Sequence, residues 1–195
     1  MDTLVAQAMQ RWPNVPAVYG WLRLDRRGRW RIRGEPVVHA STAAFIGRNY
    51  LADERGRWYF QNGPQRVFVD LDACPWVLAL DGPPGTSLAL RTHADRPVGA
   101  PRSAWLTAEG SLLVEFESGV GLVDDRDLAA ACAGACDGSG APLDEAGWCD
   151  PAAVGARLWI GEHALPLAAL GSIPPAARFG FDPQPRPDPG EDACT

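Results

Sequence analysis

The chain has no lysine: all eighteen of its basic residues are arginine. It has two methionines and three histidines, and no histidine stands in an HExxH or HxH arrangement. Such spacing brings two imidazoles to one metal, so a zincin-type centre is excluded. There is no GxSxG elbow, which excludes the nucleophile turn of an α/β-hydrolase. No apolar run approaches the roughly 20 residues that span a bilayer as a helix, so no membrane partner is expected. The opening MDTLVAQAMQRW carries Asp2 and no basic leader, and does not read as a signal peptide. A cytoplasmic protein is therefore expected, with its five cysteines as reduced thiols. GPPGTS, residues 82–87, has phosphate-loop composition only. Ser87 and Leu88 stand where the second Gly and the Lys belong, and the segment reads as a hairpin turn.

What is present fits a folded, β-rich protein. The 195 residues are 46% hydrophobic and 22% charged, enough for a core without staples. Eight tryptophans need a packed interior or a flat binding surface. A net charge of −6 argues against wholesale nucleic-acid binding.

Periodicity places a short helix over Leu4–Trp12, ended by Pro13 and Pro16. Strand alternation follows. In WLRLDRRGRWRIRG, Leu22, Leu24, Trp30 and Ile32 share one face, with a turn at Asp25–Gly28. The wording returns at Asp53–Trp58 and, more weakly, at Trp105–Gly110. Asn62-Gly63 predicts a two-residue hairpin turn. Trp76–Leu80 and Ser87–His93 predict a further hairpin. Helices are predicted over Thr42–Tyr50, capped by Ser41, and from Asp124 or Asp125 through LAAACAGAC. The second would carry Cys132 and Cys136, four apart, as buried thiols rather than metal ligands. Beyond Pro174 the chain is too rich in proline for helix or sheet interior, and its last dozen residues read as a mobile tail.

The expected fold is α+β: mainly antiparallel β-hairpins with two or three short helices. Residues 19–71 and 104–167 both read hairpin, helix, strand pair, which predicts an internal duplication of a β-β-α-β-β unit. The expected divisions are 1–18 (helix and linker), 19–93 and 94–173 (two β-rich halves) and 174–195 (Pro-rich tail).

GRWYFQNGPQRVFVDLD, with RTHADRPV and GVGLVDDRDL downstream, resembles an uncharacterised family of small bacterial proteins. The resemblance implies a bacterial, cytoplasmic protein and transfers no activity, metal or cofactor.

Two functions fit these residues. The first is a non-catalytic binding or regulatory protein. Residues 21–33 hold six Arg and one Asp, a local +5 that leaves −11 (−6 less +5) on the remainder. Arg23, Arg29, Arg31 and Arg33 fall opposite the apolar face, with Trp21 beside them as a stacking element. Such a ribbon would dock an acidic macromolecule. The competing readings are a solvated sheet face, a charged edge strand that blocks aggregation, and internal pairing with the acidic remainder. Gln65 and Arg66, in a run dense with amide and guanidinium donors, are further binding candidates. The second function is a small metal-independent enzyme, with His39, His93 and Arg66 around a cleft between the halves and Glu54, Asp124 or Asp127 orienting a base. No cofactor is indicated for either.

Overall fold

A hydrogen-bonded turn recurs at five places among the described residues and reverses the chain each time. In Asp25–Arg29, Gly28 N–H donates to Asp25 C=O and Asp25 N–H to Arg29 C=O, both at 3.0 Å. The Asp25 carboxylate accepts from the N–H groups of Arg27 and Arg29. Asp53–Arg57 and Asp137–Ala141 repeat this with an aspartate. Thr92–Arg96 and Thr107–Ser111 do so with a threonine hydroxyl. The fourth residue has a positive φ every time (Gly28 72°, Gly56 75°, Asp95 58°, Gly110 77°, Gly140 89°). Glycine is the residue that adopts it without strain. The verbal echo between residues 25–30 and 53–58 is therefore one turn used twice.

A computed structural model describes residues 2–3, 5–7, 15–81, 89–191 and 193–194. Two compact units divide the chain: Met1–Pro75 with Gly180–Thr195, and Trp76–Phe179. The hairpin of Trp76 and His93 thus belongs to the second unit.

In the first unit the order is β1 (Ala17–Leu24), β2 (Trp30–Ile32), β3 (Glu35–Pro36), helix α1 (Ala40–Arg48), β4 (Tyr50–Ala52), β5 (Trp58–Asn62) and β6 (Gln65–Leu71). The sheet runs β3-β2-β1-β6-β5-β4, and along this path every pair but the parallel β1–β6 is antiparallel. Its inner face buries Leu22, Leu24, Trp30, Phe60, Val69 and Leu71. Tyr50 is wedged between Trp30 and Trp58, with ring centroids 5.0 and 4.8 Å away. Ile32, expected on that face, is 44% exposed, because the chain turns again at once. Arg33 and Gly34 form a two-residue turn into β3, with φ of 49° and 87°.

The second unit contains β7 (Trp76–Asp81), β8 (Ala89–Thr92), β9 (Pro101–Thr107), β10 (Leu112–Phe116), β11 (Gly119–Val123), α2 (Leu128–Cys132), β12 (Ala135–Cys136), α3 (Glu145–Cys149), β13 (Arg157–Ile160), β14 (His163–Gly171) and α4 (Pro175–Phe179). Its sheet runs β12-β13-β14-β9-β10-β11-β7-β8. Read from β9, the first strand of the set pairs parallel with the last, β14. The order β11-β10-β9-β14-β13-β12 then matches β3-β2-β1-β6-β5-β4 strand for strand and in direction. A helix follows the third strand in both units. The class is α+β, with parallel pairs joining hairpins that are otherwise antiparallel.

Several local expectations change. Helix α1 starts earlier than expected and is capped at His39, whose side chain makes no capping bond. The β5–β6 turn is Gly63-Pro64, flanked by paired Asn62 and Gln65. Gly63 takes a φ of 57°, and Pro64 fits where no ladder N–H is needed. Helix α2 is five residues long, because Asp124 folds into a turn with Arg126 before it. Cys132 closes that helix and Cys136 lies in β12 opposite Arg157, so the two do not share a helix. Residues 3 and 5–7 are helical; the rest of the predicted Leu4–Trp12 helix and the loop at 82–88 lie outside the described residues.

Pro175–Phe179, expected to be too proline-rich for a helix, form α4 of the second unit, and the Pro-rich residues from Gly180 onward pack on the first unit instead of trailing from it. Asp182 N–H donates to Gly56 C=O, Leu71 N–H to Pro183 C=O, both at 2.9 Å. Residues Ala193–Cys194 (β15) pair parallel with Ala17 and Val18. Proline cannot donate to a ladder, but it does not stop side chains or carbonyls from docking. Among the described residues no helix is long and apolar enough to cross a membrane.

Candidate functional site

Alternation along β1 and β6 gives the first unit's sheet an outer face carrying Tyr19, Trp21, Arg23, Phe68 and Asp70. Arg23 lies opposite Arg31 across the β1–β2 pair. The C-terminal segment covers one part of this face. There Tyr19 stacks on Phe68 at 4.5 Å, and Tyr59 and Ala193 complete the cluster. Tyr19 Oη donates to the Glu191 carboxylate at 2.9 Å. Arg55 pairs with Asp188, and Arg57, over the Phe68 ring, with Asp53 at 2.7 Å. Burial, then Glu191, pushes the Tyr19 phenol above its ordinary pKa.

Beyond the covered part the face opens into a groove of about 660 Å³, lined by Trp21 and by Arg23, Arg26, Arg27, Arg29, Arg31 and Arg33. Asp25, Asp70 and Asp72 also line it. Asp25 is its hub. Its Oδ1 takes the two turn N–H groups, and its Oδ2 takes Arg29 Nε at 2.8 Å and Arg31 Nε at 3.2 Å. Burial works to raise the Asp25 pKa, but the N–H groups of Arg29 and Arg27 and the two guanidiniums more than offset it, so the carboxyl titrates below its ordinary range. Arg23 reaches Asp72 at 3.3 Å. Arg186 of the C-terminal segment stands 3.9 Å from Asp70, at the border of the covered part. Arg33 differs from these. Its guanidinium lies 3.7 Å over the Trp21 ring, and it has no carboxylate partner among the described residues.

Five expected site residues, Trp21, Arg23, Arg29, Arg31 and Arg33, thus meet in one groove. The others do not join them. His39 is exposed ahead of α1. Gln65 Nε2 donates to Pro16 C=O at 3.1 Å, and Arg66 lies 4.9 Å over the Tyr59 ring. His93 is in the second unit, where its Nδ1 accepts from Val77 N–H at 3.3 Å and its ring packs on Trp76. Burial, then Arg96, pushes its pKa down to about 3, which keeps the imidazole neutral. Of the orienting carboxylates, Asp124 is bound by Arg126 at 2.6 Å. Asp127 accepts from Leu80 N–H at 2.9 Å, and Glu54 is exposed.

The roles of Asp25, Asp53, Tyr19 and Glu191 were missed from sequence. The first two had a signal: Asp and Arg four apart in the repeated D-x-x-G-R-W wording.

The second unit has its own cavities. One of about 670 Å³ is lined in part by Asp81, Arg91, Glu162 and His163, with Arg91 tied to Asp81 and Asp95 at 2.7 Å. Another, of about 700 Å³, is lined by Leu106, Trp148, Cys132 and Cys149 among others. Burial pushes the Cys132 thiol up, and that of buried Cys74 up to about 12, away from thiolate reactivity. Among the described residues no three His, Cys, Asp or Glu side chains group as a metal site.

The chain belongs to the family whose model, DUF2944, is described as "Protein of unknown function (DUF2946)" and matches residues 1–186. No curated protein matches it. Among solved structures it is similar to a DUF1285 family protein from Silicibacter pomeroyi DSS-3, with a TM-score of 0.52 and 20% identity over 87% of this chain and 97% of that one. A DUF1285 family protein from Shewanella baltica OS155 matches with a TM-score of 0.44 and 15% identity, over 56% of this chain and 88% of that one. The first likeness concerns the fold alone.

Proposed function

We propose that this member of a family of unknown function is a non-catalytic binding protein that captures an acidic macromolecular partner in the arginine-lined groove of its first unit. One observation carries the reading: six arginines and Trp21 line a single concavity, and Arg33 in it is held by an aromatic ring, not by a carboxylate. Stacking leaves the in-plane N–H edges of a guanidinium available to an oxyanion. The groove is not purely cationic. Asp25 and Asp72 hold Arg29, Arg31 and Arg23, so part of the internally paired reading applies. Those pairs fix the arginines in place while Arg23 and Arg29 keep about half of their side-chain surface exposed.

The shared strand order of the two units supports a related reading, that they are copies of one duplicated unit. A binding face on one copy then needs no counterpart on the other.

The test is a fluorescence-anisotropy titration with a labelled oligoglutamate over a range of salt. The wild type should bind, weaken steeply as salt rises, and lose at least tenfold in affinity in R23S/R31S. If no polyanion binds in a salt-sensitive way, the groove is a solvated face and the reading fails.

A further inference from the structure

Resting on that reading, we infer that the binding face extends beneath residues 186–194, which act as an internal competitor: an acidic polypeptide partner must displace them to reach the whole face. Tyr19, Trp21 and Arg23 alternate along one face of β1, as Phe68 and Asp70 do along β6, so the covered part and the open groove are one surface. About 13 Å of strand separates Tyr19 from Arg23. The covered part has the groove's chemistry. Arg57 lies over the Phe68 ring and Arg66 over that of Tyr59, as Arg33 lies over Trp21. The two parts meet where Arg186 stands 3.9 Å from Asp70.

The covering segment divides into an anchor and a strap. Phe181 and Pro185 are buried, and the backbone bonds of Asp182 and Pro183 to Gly56 and Leu71 fix this stretch. From Arg186 onward no described residue is buried. What holds this strap is polar and shallow. Asp188 pairs with Arg55, and their side chains keep 47% and 60% of their surface exposed. Glu191 accepts from the Tyr19 hydroxyl. Ala193 and Cys194 run parallel to Ala17 and Val18 of β1 for two residues. An exposed ion pair and a two-residue ladder are weak fastenings, so this stretch opens before the anchor does. Its fit is also incomplete. Arg57 Nη1 is buried with no hydrogen-bond acceptor among the described residues, and Asp188 Oδ2 stands 3.6 Å from it.

The strap is itself an acidic peptide and shows what the surface accepts: one carboxylate at Arg55, another at the Tyr19 hydroxyl, and a backbone that pairs with β1. Strand addition of this kind is a general mode of peptide recognition. A partner that brings a carboxylate within reach of Arg57 Nη1 makes the bond that Asp188 does not. While the strap competes, the partner's apparent affinity falls by the fraction of time the strap is open. A strap closed for about four-fifths of the time therefore weakens binding about fivefold.

Two variants of the full chain, neither of which changes its charge, test this against a labelled twelve-residue oligoglutamate. V18C places a thiol opposite Cys194 in the register of β1 with β15. Neighbouring strands lie about 4.8 Å apart, within reach of a disulfide, so oxidation with diamide locks the strap shut. G56A drives a methyl group into the Gly180 carbonyl and shifts the anchor, which frees the strap. Oxidised V18C should bind at least fivefold more weakly than reduced V18C, while oxidation leaves the wild type unchanged. G56A should bind at least fivefold more tightly than the wild type. A locked strap that leaves affinity unchanged overturns the inference, and salt-sensitive binding then still supports the groove reading. Where the crosslink does not form, unchanged affinity in G56A overturns it likewise. A single-stranded oligonucleotide of equal charge that binds the wild type more tightly than the oligoglutamate overturns the polypeptide assignment. Absence of salt-sensitive binding in every form overturns both readings.

Discussion

Gly56 and Gly34 lie in the same unit at φ 75° and 87°, and they separate backbone strain from tail docking. An alanine at either must adopt the left-handed region, at a cost of about 1–2 kcal/mol. At Gly34 the added methyl meets nothing within 4 Å, so the cost ends there. At Gly56 it would overlap the carbonyl oxygen of Gly180. That neighbour is backbone and no rotamer change relieves it. The C-terminal segment must move, and with it the hydrogen bonds of Asp182 N–H to Gly56 C=O and Leu71 N–H to Pro183 C=O. Each is worth about 1 kcal/mol net, so G56A should cost about 3–4 kcal/mol where G34A costs about 1–2. In urea, with a slope of about 1–3 kcal/mol per molar, the two midpoints should differ by about 1 M. Limited proteolysis should also cut G56A, and not G34A, within residues 181–191. Equal midpoints and equal proteolysis would refute the docked position of the segment.

Replacing Asp25 with Asn should lower stability by about 1 kcal/mol, discounted because Arg29 is half exposed, yet tighten oligoglutamate binding, since a groove carboxylate is lost. Chemical denaturation and anisotropy read the two opposite effects. His93, with a pKa lowered to about 3, makes the folded state bind fewer protons than the unfolded. Its contribution is full above about pH 6.5 and declines as pH falls toward 3. Asn in its place keeps an acceptor for Val77 N–H and should flatten stability between pH 6.5 and 4.5, measured by urea midpoints. The raised Tyr19 pKa works at the other end. Its contribution is present below about pH 10 and is lost as pH rises above that, so Tyr19→Phe should remove part of the alkaline loss of stability seen by near-UV circular dichroism.

Much of the fold was legible because alternation and turn chemistry are local. The hairpin at residues 21–32, the hairpin and strand pair read within residues 104–167, and the opposed faces of Leu22 and Arg23, follow from side-chain period and turn residues alone. What was not legible depends on contacts distant in sequence. Asp124 is a good helix-starting residue, but it binds Arg126 in a turn and the helix begins four residues later. Pro-rich residues 181–191 look unstructured until Arg55, Arg57 and Tyr19 are placed opposite their carboxylates. Arg33 was assigned to a strand because nothing in RIRGEP signals φ 49° at arginine. At the candidate site, the row of arginines could be read directly. Asp25 as the shared acceptor of Arg29 and Arg31 could not, since its carboxylate gathers groups from three positions of the hairpin.

The two units place different side chains at matching positions of one hairpin, and this bears on why the arginines are there. Counting from the turn residues Asp25 and Thr107, Arg23 corresponds to Trp105, and counting from Arg29 and Ser111, Arg31 corresponds to Leu113. In the second unit Leu113 is 1% exposed, and Trp105 lies under the Arg178 guanidinium at 4.6 Å with Phe179 against its edge. The hairpin therefore folds as well with this face apolar and covered as with it cationic and open. Turn formation cannot account for the row either, because Thr107 makes the same turn bonds without a charged partner. Nor can the absence of lysine. It explains why each cation is an arginine and leaves open why cations recur at alternate positions on one face. Internal pairing accounts for the arginines that Asp25 and Asp72 hold and stops short of Arg33. Under the proposed function, a ligand that meets Arg33 and the exposed sides of Arg23 and Arg29 accounts for what internal pairing leaves unexplained.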